Sequence, residues 1–322
     1  MKALGLLSGG LDSMLAAKLV SEIGLEVEAI TFVTPFCQCG TAATEAAKTL
    51  NIPLKIMNTG TDYLHLVQNP KFGYGKNMNP CIDCRIFMLK KAKKYARIIG
   101  AKFIFTGEVL GQRPMSQQRP QLDLIDKEAG LAGKLLRPLS AKLLPKTEAE
   151  KKGYVTAEAL RDIYGRSRKP QIELTREFNI KDYACAAGGC LLTEREFAKK
   201  LRDLFRHKKR LSSKDLDLLR VGRHFRFGEN KIIVGRNQVE NGVLLSDKNK
   251  TDYCFEVPDC GSPTTLLQGP KTKNAIAKAA ELTAFHSDKK IGQVQVNFGR
   301  ETLSMKVMIT VPLRAEVDKI RI

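Results

Sequence analysis

Over the first half of the chain, short apolar runs alternate with helical stripes of apolar residues. Residues 3–7 form a brief apolar run that Ser8-Gly9-Gly10 interrupts. Leu11, Leu15, Leu19 and Ile23 then recur at helical spacing up to Gly24, a residue type that commonly closes a helix. Residues 27–33 read as a second buried strand, 41–50 as a helix and 54–57 as a strand. A helix over 85–99, stopped by Gly100, and a strand over 102–105 follow. Strands alternating with helices of this length predict an α/β domain, a doubly wound parallel sheet covered on both faces. Residues 153–174 read as helical. After a basic stretch the pattern changes: 232–234, 253–255, 265–267, 294–296 and 303–311 read as strands, with one clear helix at 272–285. The expected organisation is a domain over 1–192, a basic helical linker over 193–220 and a smaller α+β domain over 221–322. No internal repeat or low-complexity tract stands out.

Composition narrows the class. Apolar residues are 43% of 322, enough for a proper core. No stretch has the length of apolar sequence a membrane span needs, and the N-terminus meets Gly9-Gly10 and Asp12 too soon for a signal peptide. A cytoplasmic location away from membranes is therefore expected. Lys and Arg number 54 against 34 Asp and Glu, a net charge of +20 that points to a polyanionic partner, nucleic acid first among them. The competing explanation is a solvated, Lys-rich surface. Eight cysteines in a cytoplasmic chain point to metal binding or sulfur chemistry rather than a disulfide framework.

Ser8-Gly9-Gly10-Leu11-Asp12-Ser13 lies between a predicted strand and a predicted helix. Two glycines let the backbone approach a phosphate, and amides at a helix N-terminus point at the anion. The Ser8 and Ser13 hydroxyls add donors, and Asp12 is placed to hold Mg2+. An ordinary strand-to-helix turn capped by Asp12 is the plainer alternative. The hexapeptide resembles the Ser-Gly-Gly-x-Asp-Ser signature of the PP-loop ATP pyrophosphatases, and no Gly-Lys-Ser/Thr of a Walker loop follows it. The resemblance implies that Ser8, Gly9, Gly10, Asp12 and Ser13 hold the pyrophosphate end of ATP. It implies further that Phe32 lies near the adenine and that Gly107 of Thr106-Gly107-Glu108 approaches the nucleotide. These positions agree with ligands sitting beyond the carboxyl ends of parallel strands.

Asn79-Pro80-Cys81-Ile82-Asp83-Cys84 resembles the Asn-Pro-Asp-x-x-Cys of 2-thiouridylases, with Cys81 in place of the aspartate. A third cysteine is expected downstream: Cys190 of Gly188-Gly189-Cys190 matches best, with Cys185 a competitor. Three schemes fit. A [4Fe–4S] cluster on Cys81, Cys84 and Cys190 would leave one iron open to deliver sulfide, and the Cys-x-x-Cys spacing favours it. Alternatively, Cys84 and Cys190 form a persulfide and disulfide pair with a low-pKa thiolate. A structural Zn2+ site would need a fourth ligand, from Cys185 or from Cys37 and Cys39. Cys37 and Cys39 are otherwise a sulfur relay or small buried residues. Cys254 and Cys260 read as structural.

Residues 106–117 resemble the Thr-Gly-Glu-x-Leu-Gly-Gln stretch of 4-thiouridine synthases, and Arg137-Pro138-Leu139 the end of PP-loop domains. The resemblance covers 1 to about 195, without the N-terminal RNA-binding domain of those synthases, so RNA must be held elsewhere. Residues 195–236 carry 14 Lys and Arg against five Asp and Glu, enough to neutralise several phosphates, although a solvated helix face is the alternative. Gly235-Arg236-Asn237, Asp252, Gly261-Ser262 and the helix beyond resemble the RNA-binding domain of NFACT proteins over 221–312. Tyr253-Cys254-Phe255-Glu256 replaces that family's aromatic His motif. His65, His207, His224 and His286 show no ligand spacing. Together these resemblances imply an ATP-dependent tRNA sulfurtransferase that forms AMP and pyrophosphate, with catalytic roles for Asp12, Cys84 and Cys190. Sulfide or a sulfur carrier would be the donor. The rival expectations are a PP-loop enzyme that modifies RNA without sulfur and a nonenzymatic, nucleotide-sensing RNA-binding factor.

Overall fold

The computed structural model describes residues 1–37, 39–181, 183, 189–289 and 291–322, with Cys39 described by its backbone alone. Gln38, Cys185 and Gly188 lie outside the described residues, as does the Cys39 side chain. Two units result, Met1–Thr193 and Glu194–Ile322.

The first unit runs β1 (Lys2–Leu6), α1 (Leu11–Glu22), β2 (Glu26–Val33), α2 (Cys39–Thr49), β3 (Leu54–Asn58), α3 (Thr61–Gln68), α4 (Cys81–Ile98), β4 (Phe103–Thr106), α5 (Arg119–Ala129), β5 (Leu135–Leu136), α6 (Glu148–Lys151) and α7 (Lys169–Glu177). Its sheet has the order β3-β2-β1-β4-β5, every pair parallel. Alternation along the strands builds two cores. Ala3, Phe103 and Phe105 face a cluster with Leu11, Leu15 and Leu174 of α1 and α7. Leu4, Leu6, Ile30 and Ile104 face Ile86, Leu89 and Ile125 of α4 and α5. Both sheet faces are buried, which is why the strands read as apolar runs rather than alternating ones. The chain moves outward from β1 to β3 and then returns to place β4 on the other side of β1. Strand order therefore reverses between β1 and β4, where doubly wound sheets leave a crevice at their carboxyl ends. The loop 7–10 and Thr106-Gly107-Glu108 both open into it.

One expectation fails in this unit. The helix expected over 153–174 is a loop with a single 3₁₀ turn, Ala157–Ala159, and only Lys169–Glu177 is α-helical. Gly153 takes a left-handed φ of 69° that ends the short α6, and Pro170 falls in the first turn of α7, where it starts a helix instead of continuing one.

The second unit comprises α8 (Arg195–His207), α9 (Ser213–Leu218), β6 (Arg223–Phe227), β7 (Asn230–Val234), α10 (Gln238–Asp247), β8 (Tyr253–Glu256), β9 (Thr265–Gln268), α11 (Lys273–Phe285), β10 (Gln293–Gly299), β11 (Met305–Thr310) and α12 (Arg314–Lys319). Its sheet is antiparallel in the order β11-β10-β8-β9-β7-β6. Ile232, Val234, Phe255 and Leu267 point to the α11 side, while Ile233, Cys254 and Leu266 pack with Leu218 and Leu244 of α9 and α10. Cys254 is thus a buried core residue. Of the segment expected as a linker over 193–220, all but Thr193 falls within this unit, where α8 buries Phe197, Ala198, Leu201 and Leu204. Helix α10 went unread in the hydrophobic pattern; its start is marked by Asn237, whose side chain accepts from the Glu240 amide. Among the described residues no helix is long and apolar enough to cross a membrane.

Candidate functional site

The loop after β1 is braced by its own hydroxyls. Ser13 Oγ donates to the Gly10 carbonyl at 2.8 Å and accepts from the Ser8 amide at 3.2 Å, with Ser8 Oγ 3.2 Å away. Ser13 is buried and Ser8 exposed, so Ser13 shapes the loop while the Ser8 hydroxyl faces out. Gly9 has φ 80°, and a Cβ there would lie 2.3 Å from the Ala42 carbonyl carbon; only glycine fits. No side chain caps α1 at Gly10, which leaves that N-terminal turn for an anion.

Asp12, in the first turn of α1, is held from two directions. Gln112 Nε2 donates to Asp12 Oδ2 at 2.8 Å, and Gln171 Nε2 is shared between Asp12 Oδ1 and Gln112 Oε1, 3.4 Å from each. Gln171 is fully buried, and its Oε1 has no hydrogen-bond partner. Gly107 lies against this turn, since a Cβ there would come within 2.5 Å of the Asp12 carbonyl carbon. Its glycine is thus explained by backbone contact with the loop. Phe32 is buried among the α4-side core residues.

Glu108, beside Gly107, anchors a buried ion network. Arg137 Nε donates to Glu108 Oε2 at 3.1 Å, and the two Arg137 Nη groups grip Asp126 at 2.8 and 2.7 Å. Arg85, the residue after Cys84, approaches Glu108 Oε1 at 3.5 Å. Burial pushes the Glu108 carboxyl upward, but Arg137 and Arg85 outweigh it and hold Glu108 below the usual carboxylate range.

Cys81 and Cys84 occupy the first turn of α4. A helix N-terminus favours thiolate, yet burial raises both thiols, and for Cys84 the opposing pulls of Tyr63 and Arg85 do not reverse it. A protonated Cys84 thus stands in place of the expected low-pKa thiolate. Tyr63, buried on α3, puts its hydroxyl 3.2 Å from Cys84 Sγ. Burial, Cys84 and Cys190 all raise the Tyr63 hydroxyl, so both cysteines lie in its neighbourhood. Backbone bonds stitch the surrounding segments together: Met78 N to Leu192 O at 3.0 Å, Asn77 Nδ2 to Thr193 O at 2.7 Å and Leu191 N to Phe36 O at 3.0 Å. Asp83 accepts from the Lys71 and Phe72 amides at 2.9 and 3.0 Å and is structural. Cys37, expected as a thiol, is disulfide-bonded. Among the described residues no group of three or more His, Cys, Asp or Glu is gathered to hold a metal ion.

Arg113 joins the two halves. Burial and Arg85 lower its pKa while Cys81 and Asp12 raise it, so loop and thiol helix share one electrostatic neighbourhood. Sequence reading singled out the loop and thiols but missed Tyr63, Gln171, Arg85 and Arg113. Arg85 and Arg113 adjoin recognised motifs, whereas Tyr63 and Gln171 carry no local signal.

Comparison with known proteins follows the same division. A family described as "Thiamine biosynthesis protein (ThiI)" matches residues 1–144, and one described as "NFACT protein RNA binding domain" matches 222–319. The tRNA-specific 2-thiouridylase MnmA of Magnetococcus marinus is 31% identical over 134 residues, 36% of this chain and 37% of that protein. A probable tRNA sulfurtransferase of Thermococcus kodakarensis is 29% identical over 147 residues, 43% of this chain and 36% of that protein. The chain therefore spans a little over a third of the length of these curated relatives. A 4-thiouridine synthetase solved with RNA and ATP is 23% identical, covering 68% of this chain and 52% of that one, at a TM-score of 0.37. On the family matches, residues 1–144 are similar to the ThiI PP-loop domain and residues 222–319 to the NFACT RNA-binding domain.

Proposed function

We propose that this chain is an ATP-dependent tRNA sulfurtransferase. The observation that carries the reading is Arg113, which feels both Asp12 on the phosphate loop and Cys81 on α4. Relatives named as tRNA sulfurtransferase and 2-thiouridylase, and the RNA-binding family match, support tRNA as the substrate.

In this reading the amides of Gly9 and Gly10 and the Ser8 hydroxyl hold the pyrophosphate end of ATP, with Phe32 and Gly107 flanking the nucleotide. A uridine carbonyl oxygen attacks the α-phosphorus, and pyrophosphate leaves. Hydrosulfide then bonds to the base carbon; the carbon–oxygen bond breaks, AMP departs with the former carbonyl oxygen, and the sulfur loses its proton to solvent as the thiocarbonyl forms. Arg113 faces the charge that builds on the phosphates. The carboxylate oxygens of Asp12, in the first turn of α1, are hard donors of the kind Mg2+ takes. Such an ion would neutralise the leaving pyrophosphate.

Cys81, Cys84 and Cys190 are the sulfur-handling residues of the proposal. Three thiolates suit a [4Fe–4S] cluster in kind. As arranged, however, they are not gathered as a ligand set, and Cys84 is tied to Tyr63. A cluster requires these side chains to close together. Iron and zinc analysis of anaerobically purified protein distinguishes cluster, zinc and persulfide schemes. The reaction itself is tested by incubating the chain with ATP, Mg2+, sulfide and unmodified tRNA transcript. Pyrophosphate and a thiouridine, read by nucleoside mass spectrometry, are expected together. Pyrophosphate without sulfur in the product would indicate a non-thiolating enzyme. No pyrophosphate with any RNA would indicate a binding factor.

A further inference from the structure

Charge along the sequence spreads the RNA surface over residues 195–236, but the fold concentrates it. Lys200 lies on α8, Arg223 opens β6, and Arg236 follows β7. Arg321, distant in sequence, bridges to Phe225 along the edge of β6, where the Ile322 amide donates to the His224 carbonyl at 3.0 Å. Lys200 is within electrostatic reach of Arg236 and Arg321, and Arg223 of the same two.

Like charges gathered this closely repel, and the two carboxylates that reach them, Glu240 beside Lys200 and Arg223 and Glu196 beside Lys200 and Arg321, are each committed to another partner. Glu240 is taken by Arg236 and by the Gly222 amide at 3.1 Å, and Glu196 pairs with Lys199 at 3.0 Å. Among the described residues Lys200, Arg223 and Arg321 enter no ion pair. Backbone carbonyls steady two of them: Lys200 Nζ donates to Leu219 O at 3.3 Å and Gly222 O at 3.2 Å, and Arg223 Nη1 to Gly235 O at 3.3 Å. His286, at the end of α11, packs its ring 6.0 Å from that of Phe225, and its Nε2 is buried without a hydrogen-bond partner. Arg223 and Arg321 both act on it. The repulsion registers on the groups themselves: burial and then Arg236 bring Lys200 down to about 8. Three cations without an ion pair, two of them acting on an imidazole whose Nε2 has no hydrogen-bond partner, lack one component, an anion.

We propose that Lys200, Arg223 and Arg321, with His286 behind them, bind a phosphodiester of the RNA backbone. This site rests on the tRNA reading above and deepens it. Guanidinium forks match phosphate oxygens in pairs, and the contact reads charge rather than sequence.

The test is the salt dependence of tRNA binding by the full chain, followed by fluorescence anisotropy over a KCl series. Arg223→Gln and Arg321→Gln should each weaken binding several-fold and reduce the slope of log K against log[KCl] by about 0.7–0.9, one phosphate contact apiece. Lys306→Gln, on β11 at the opposite edge of the sheet, serves as control. Because Arg223 also bonds Gly235, Arg321→Gln alone decides the matter should Arg223→Gln fail to fold. Slopes indistinguishable from the control, in variants that melt like wild type, overturn this site and leave the tRNA reading standing. A wild-type chain that binds no tRNA overturns both.

Discussion

Replacing Arg137 probes the most heavily buried charge network in the first unit. Arg137 is 4% exposed and Glu108 2%, and Asp126 receives two parallel guanidinium bonds. Arg137→Met removes the cation and strands two carboxylates in the interior, at a cost of about 3–5 kcal/mol when a buried pair is broken from one side. Against a total domain stability of roughly 5–15 kcal/mol, that is a large fraction. The chain has no tryptophan, so far-UV circular dichroism in urea is the suitable probe. With a slope of roughly 2 kcal/mol/M, the first unit's midpoint should fall by about 2 M. Adding Glu108→Gln and Asp126→Asn to Arg137→Met should recover most of the loss, since replacing a whole buried ionic group is often nearly neutral. A midpoint shift below about 0.5 M for Arg137→Met alone would refute the reasoning.

Three further outcomes follow from the same geometry. Gly107→Ala drives a methyl into the Asp12 backbone, and a displacement of about 1 Å there should cost about 100-fold in tRNA-dependent pyrophosphate release, read by a coupled phosphate assay. Tyr63→Phe deletes the hydroxyl beside Cys84 and should lower thiouridine yield up to about tenfold while leaving pyrophosphate release intact. In the second unit Lys231 is brought to about 8 by burial, below the value of an unfolded lysine. Between pH 8 and the ordinary lysine pKa of about 10.4 the unfolded chain holds a proton the folded one has released. Stability contributed by this group therefore rises with pH across that window. Lys231→Met should flatten the rise of the melting temperature over that range.

Much of the first unit was legible because its strands are buried on both faces and its helices carry clean apolar stripes. The loop at Ser8–Ser13 was equally plain, since two glycines between a strand and a helix leave a local mark. Residues 153–174 misled because a polar, Lys- and Arg-bearing segment can suit a helix while two left-handed glycines, Gly153 and Gly165, and a late proline decide otherwise. Tyr63 and Gln171 were invisible because their roles come from tertiary contact: one touches Cys84 across 21 residues and the other Asp12 across 159. Arg321 was missed for the same reason, being brought to β6 by an edge pairing no local pattern announces. In the thiol cluster, spacing identified residue types suited to sulfur chemistry but said nothing of the tyrosine beside them.

The central claim is that the phosphate loop and the cysteines of α4 and residue 190 serve two halves of one reaction. Quantifying pyrophosphate and thiouridine in the same tube for Cys190→Ser tests it most directly. The account predicts that pyrophosphate release on tRNA persists while thiouridine disappears. Thiouridine formed at the wild-type level would contradict it.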